Sequence, residues 1–199
     1  MQRAVAGIDT LLERGAPATP LLSHGDHTLD RGALLAAADG IATRLARMPG
    51  GVEGRRVAVV APNVPALVVG MFAAWRAGAA AVPLSARLRD YELRRILADA
   101  EASAIVCVDR HAGFSFADAL EGLAAAVPSL RLALVVDALG EVTDEVGFGD
   151  HGPAAEPLGR DDIAAVLYTS GTTGEPKGAL VRHATELHCA AEMRAAIGL

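Results

Sequence analysis

The stretch Ala164-Ala-Val-Leu-Tyr-Thr-Ser-Gly-Thr-Thr-Gly-Glu-Pro-Lys-Gly178 gathers the residue types that bind a chain of phosphates. Its first residues are apolar and read as a buried strand, which runs straight into a loop of hydroxyls, glycines and one lysine. Gly171 and Gly174 permit positive φ and carry no side chain, so successive backbone N–H groups can turn toward one anion. Thr169, Ser170, Thr172 and Thr173 add hydroxyl donors, Lys177 adds a mobile positive charge, and Gly178 completes the set. A hydrogen bond to a charged oxygen contributes about 1.5–3 kcal/mol net, so three or four such contacts hold a triphosphate tail at micromolar strength after binding entropy is subtracted. A Walker A loop requires glycine before its lysine and a hydroxyl residue after it, whereas the neighbours of Lys177 are Pro176 and Gly178. The usual Mg²⁺ ligand is therefore missing, and Pro176 withdraws an N–H donor. The competing reading is a ligand-free Gly/Thr hairpin turn.

Such a loop needs a rigid frame, and the preceding chain alternates strands and helices. Leu21–Leu29 reads as two short strands around a His-Gly-Asp turn, and Asp30 is placed to cap a helix reaching about Arg47. Met48–Gly54 is a loop, and Arg56–Ala61 a buried strand. Asn63 as cap and Pro65 in the first turn start a helix ended by Gly78; being apolar nearly all round, it belongs between layers. Ala79–Leu84 is a strand, Asp90 caps the next helix, and Ile105–Val108 is again a strand. A helix carrying Phe116, Leu120, Leu123 and Val127 stops at Pro128 and leads to strand Leu132–Val136. The succession predicts right-handed crossovers and an α/β fold: a layered, mainly parallel sheet with helices on both faces and a short N-terminal hairpin. The acid- and glycine-rich segment 137–160 lacks the spacing of a calcium loop and reads as a solvated connection. After Gly178, Ala179–Arg182 is expected to pair back as a strand, and His183 to open a helix to about Ala196.

With 199 residues the chain has one sizeable core, built mainly from Ala, Val and Leu because only 4% of residues are aromatic. A net charge of -6 gives no basic field, which disfavours nucleic acid. The segment Val64–Leu84 contains Pro65, Arg76, Gly78 and Pro83 and reads as a core helix and strand rather than a membrane span. Asp9 and Glu13 interrupt any signal-like apolar run at the start, and Cys107 and Cys189 read as two reduced, buried thiols of a cytoplasmic protein. His183, His188 and Cys189 have metal-like spacing, but adjacent His188 and Cys189 would point in different directions on a helix, so no metal site is assigned.

Tyr168-Thr-Ser-Gly-Thr-Thr-Gly-Glu-Pro-Lys-Gly178 resembles the signature of the adenylate-forming (AMP-binding) superfamily, and its Thr172-Thr173 pair is similar to the acyl-CoA synthetase branch. Ala74-Trp-Arg-Ala-Gly-Ala-Ala-Ala-Val-Pro-Leu84, followed by Asp90-Tyr-Glu-Leu93, resembles a second, architectural motif of that family. The opening hairpin matches loosely, because Arg31-Gly32 falls where the family usually has an acidic residue and leucine.

The resemblance implies ATP and Mg²⁺ as cofactors, a carboxylic acid substrate, coenzyme A as acyl acceptor, and a loop gripping the β- and γ-phosphates. The residues implied are Thr169, Ser170, Gly171, Thr172, Thr173, Gly174, Lys177 and Gly178, with Lys177 assisting as a cation. His183 sits where the family often has a histidine at a helix start, which implies a structural hydrogen bond to backbone. By this resemblance residues 1–199 form a partial N-terminal domain ending just after the phosphate loop, without the family's adenine and ribose contacts, most of the acyl pocket, or the C-terminal domain with its catalytic lysine. The chain alone is therefore expected to be inactive, and uncovered Val/Leu/Ala surface is expected to favour self-association. The alternatives are a non-catalytic nucleotide or anion-binding module and a purely structural or interaction role.

Overall fold

The computed structural model describes residues 7–149, 163–169 and 176–198. A 3-10 turn, Ile8–Glu13, precedes the antiparallel hairpin β1 (Pro20–His24) and β2 (His27–Asp30) and the helix α1 (Arg31–Ala46). Asp30 starts α1 as the sequence predicts, its carboxylate accepting a hydrogen bond from the Ala33 N–H at 2.8 Å. The alternation then runs β3 (Arg56–Ala61), α2 (Pro65–Arg76), β4 (Ala80–Ser85), α3 (Asp90–Asp99) and β5 (Ala104–Val108). A small hairpin, β6 (Arg110–His111) and β7 (Phe114–Ser115), leads to α4 (Phe116–Ala126) and β8 (Leu132–Val136). The final elements are β9 (Val142–Gly147), β10 (Ile163–Thr169), β11 (Lys177–Arg182) and α5 (His183–Ile197).

Seven strands form the main sheet in the order β11-β10-β4-β3-β5-β8-β9. The five central strands are parallel and the two edge strands antiparallel to their neighbours. β3, β5 and β8 are buried along their whole length, which is why they read as unbroken apolar runs. α2 packs on β3 and β4 and is covered in turn by α1, while α3 and α4 pack on each other. This is the expected mainly parallel sheet with helices on both faces.

Three local expectations need correction. The α2 cap is Val64, with no side-chain hydrogen bond, and Asn63 lies outside the helix; Pro65, whose fixed φ suits the first helical position, sets the start. Asp90 is the first residue of α3 rather than its cap, and it pairs with Arg94 at 2.6 Å, one turn on. The acidic stretch after Asp137 holds the edge strand β9: Val142 and Val146 pack on the core while Asp144 and Glu145 face water. Residues 150–160 of that stretch lie outside the described residues.

Candidate functional site

β10 is held on both sides. It pairs in parallel with β4 at Ala165↔Ala81 and antiparallel with β11 from Ile163↔Arg182 to Thr169↔Lys177. Its beginning is clamped by Trp75 of α2, whose indole N–H donates to the Ala164 carbonyl at 2.6 Å. Trp75 in turn meets Phe72 and the ring of His183 edge-on, with centroids 5.0 and 6.2 Å apart.

His183 begins α5 and is buried, and its Nδ1 accepts a hydrogen bond from the Ile8 N–H at 3.2 Å. An accepting Nδ1 carries no proton, so in the neutral ring the proton sits on Nε2. This is the structural bond to backbone expected of His183, and it ties the N-terminal turn to the last helix. His188 and Cys189 are exposed on α5, and among the described residues no three His, Cys, Asp or Glu side chains gather as a metal site. The exposure of Cys189 corrects the expectation of two buried thiols. Cys107, inside β5, is fully buried, and burial, aided by the negative charge of Asp109, pushes its thiol up to about 12.

Thr169 and Lys177 are the final pair of the β10–β11 stem. Residues directly opposite in an antiparallel pair project from the same face, so a hydroxyl and an ammonium stand side by side where the strand chain leaves the sheet. Both are exposed. Ser170, Gly171, Thr172, Thr173 and Gly174 lie outside the described residues. The stem alternates: Val166, Tyr168 and Gly178 share the other face, where a Cβ on Gly178 would fall 2.7 Å from Val166 Cγ1 and 3.1 Å from Tyr168 Cζ. Gly178 thus accommodates the Tyr168 ring.

The Tyr168 hydroxyl donates to Asp99 Oδ2 at 2.5 Å. Partial burial, reinforced by this hydrogen bond and the Asp99 charge, raises the phenol above its ordinary range. Sequence reasoning did not single out the Tyr168–Asp99 pair, which lies 69 positions apart; nothing in local patterning reveals such a contact.

The donor set at the stem suits an anion: one hydroxyl and one full positive charge on a common face, with no acidic partner of Lys177 among the described residues. Among the described residues the stem has no carboxylates for a dedicated cation cage, so a bound Mg²⁺ would depend on the phosphate oxygens of the nucleotide.

A family model described as AMP-binding enzyme matches residues 13–198. A feruloyl-CoA synthase of Amycolatopsis sp. is 36% identical over 149 residues, covering 72% of this chain and 27% of that protein. An ATP-bound RpMatB–BxBclM chimera superposes with a TM-score of 0.73 at 26% identity, over 95% of this chain and 37% of the other. The fold is also that of the O-succinylbenzoate coenzyme A synthetase MenE from Bacillus subtilis in complex with AMP, with a TM-score of 0.68, 22% identity, and coverage of 96% and 46%. The chain therefore spans about a quarter of the length of the curated relative and between a third and a half of these solved structures.

Proposed function

The chain belongs to the AMP-binding enzyme family, and on that premise we propose that it is the phosphate-gripping, N-terminal part of an ATP-dependent ligase. That ligase joins a carboxylic acid to AMP with release of pyrophosphate, then passes the acyl group to a thiol, coenzyme A. The observation that carries this reading is the β10–β11 stem, which sets Thr169 opposite Lys177 at the two ends of the hydroxyl- and glycine-rich loop. The name of the feruloyl-CoA synthase relative supports coenzyme A as the acceptor.

In the first half-reaction a carboxylate oxygen attacks the α-phosphorus and negative charge grows on the departing pyrophosphate. Donors fixed before the reaction stabilise that charge without reorganisation, and Thr169, Ser170, Thr172, Thr173 and the loop N–H groups at Gly171 and Gly174 are assigned to this work. Lys177 adds a full positive charge at the exit of the loop, and Gly178 keeps the stem close-packed behind it. Mg²⁺, when bound, supplies charge neutralisation between phosphate oxygens.

The chain spans 27% of its feruloyl-CoA synthase relative, and the contacts to adenine, ribose and the acyl group are proposed to lie in the rest of such a ligase, so that the chain alone lacks most of the positioning energy and makes no acyl-adenylate. An ATP–pyrophosphate exchange assay on this polypeptide tests that; turnover would overturn it. Two free thiols fit a reducing compartment, and the protein is assigned to the cytoplasm, an assignment that secretion of a tagged chain would contradict. Among the described residues no helix is long and apolar enough to cross a membrane.

A second reading, an interaction role through self-association, is favoured by one observation. Leu167, Leu180, Met193 and Ile197 are 40%, 52%, 66% and 65% exposed, all on β10, β11 and α5. Sedimentation showing a clean monomer with no dye-accessible apolar surface would count against it.

A further inference from the structure

Tyr168 packs its ring against the core, whereas its hydroxyl bond to the exposed carboxylate of Asp99 is not part of that packing. Asp99 is the last residue of α3, where the carbonyl end of the helix repels a negative charge. No ion pair with Asp99 occurs among the described residues; its carboxylate instead accepts the Tyr168 hydroxyl at 2.5 Å. The helix end that carries it is firmly held. Buried Arg56, at the start of β3, donates from Nε to the Ala100 carbonyl at 2.6 Å and from Nη2 to Glu101 at 2.5 Å.

Tyr168 is the residue before Thr169, and its ring lies across Gly178, its direct partner on β11. Because side chains alternate along the stem, Tyr168 projects from the face opposite to Thr169 and Lys177. One face of the stem is tethered to α3, and the other presents a hydroxyl and an ammonium.

We propose that Tyr168 and Asp99 are positioning residues that brace the β10–β11 stem from behind, through the hydroxyl–carboxylate hydrogen bond, so that Thr169 and Lys177 meet a polyphosphate in a fixed geometry. The proposal rests on the phosphate-binding reading of the loop. An unbraced stem spends part of the binding free energy on ordering itself, so loss of the tether lowers phosphate affinity without removing any group that touches phosphate.

The test compares the chain with Y168F, D99N and the double variant, by calorimetric titration with inorganic tripolyphosphate and with ATP in Mg²⁺, by thermal unfolding, and by hydrogen exchange. Each single variant is expected to bind about three- to ten-fold more weakly, the share of one charge-assisted hydrogen bond expressed at the ligand, and the double variant no more weakly than either single one. D99N separates positioning from stability, because removing a carboxylate from a helix C-terminus offsets part of the lost hydrogen bond, so its melting temperature is expected to fall less than that of Y168F while affinity falls as far. In Y168F, amide exchange is expected to quicken at the β10–β11 stem and not in β3, β5 or β8. Unchanged stem exchange in Y168F would overturn the tether, and unchanged affinity in variants of a binding-competent wild type would overturn its positioning role. A wild-type chain that binds neither tripolyphosphate nor ATP would overturn the phosphate reading itself, with the exchange result still deciding whether the brace exists.

Discussion

Replacing Gly178 by alanine probes the stem where packing is tightest. In an ordinary strand a Gly→Ala change stabilises by about 0.5–1 kcal/mol, because the unfolded chain loses freedom. Here the added Cβ would lie 2.7 Å from Val166 Cγ1 and 3.1–3.2 Å from the Cζ and hydroxyl of Tyr168. Val166 is buried and Tyr168 is held by Asp99, so neither can swing aside freely. Overpacking of this kind costs about 1–3 kcal/mol, which exceeds the entropic gain and leaves a net loss of about 1 kcal/mol. Gly147, at the end of the opposite edge strand β9, has no atom within 4 Å of the corresponding Cβ position. G147A is therefore expected to gain about 0.5 kcal/mol. Urea unfolding reads both: with a slope of about 2 kcal/mol per M, G178A lowers the midpoint by about 0.5 M and G147A raises it slightly. A G178A protein as stable as the wild type would refute the claim that the stem is close-packed at this position.

Cys189 is exposed and Cys107 is buried with a raised pKa, so a maleimide at pH 7.5 should modify Cys189 within minutes and reach Cys107 only when urea unfolds the sheet; mass spectrometry of the two peptides decides. D30A removes the α1 cap and should destabilise the chain by about 1 kcal/mol by urea unfolding, whereas N63A, outside the α2 cap, should cost far less. The folded state raises the Tyr168 pKa above its ordinary value of 10.0, so this phenol contributes stability that is fully present below that pH and is lost as pH rises through the higher folded value. The stability gap between the wild type and Y168F should therefore shrink above pH 10, and a gap that widens there would show the sign to be wrong.

The frame was legible in the sequence because a parallel sheet covered on both faces writes itself as continuous apolar runs. Val57–Val60, Ile105–Val108 and Leu132–Val136 are such runs, and all are buried. The hairpin around Gly25 and the cap at Asp30 were equally readable, since each depends on neighbours within three residues. What the sequence concealed depends on distant partners. β9 has only two half-buried valines, Val142 and Val146, separated by three exposed polar residues, so its sequence shows no strand alternation and its place in the sheet depends on the hydrogen bonds from β8. Asn63 looked like a cap, but the fixed φ of Pro65 placed the helix start one residue later. At the candidate site the residue types were visible, whereas the clamp from Trp75, the brace from Asp99 and the bond from Ile8 to His183 join positions 69 to 175 residues apart.

The central claim is that the hairpin closed by Thr169 and Lys177 exists to hold the tail of a nucleoside triphosphate. The most direct measurement is a crystal structure of this chain with a nonhydrolysable ATP analogue and Mg²⁺. The account predicts terminal phosphate oxygens at about 2.7–3.1 Å from Lys177 Nζ and Thr169 Oγ1, on the face of the stem opposite Tyr168. An analogue bound elsewhere, with Lys177 paired to a carboxylate of the chain itself, would contradict it.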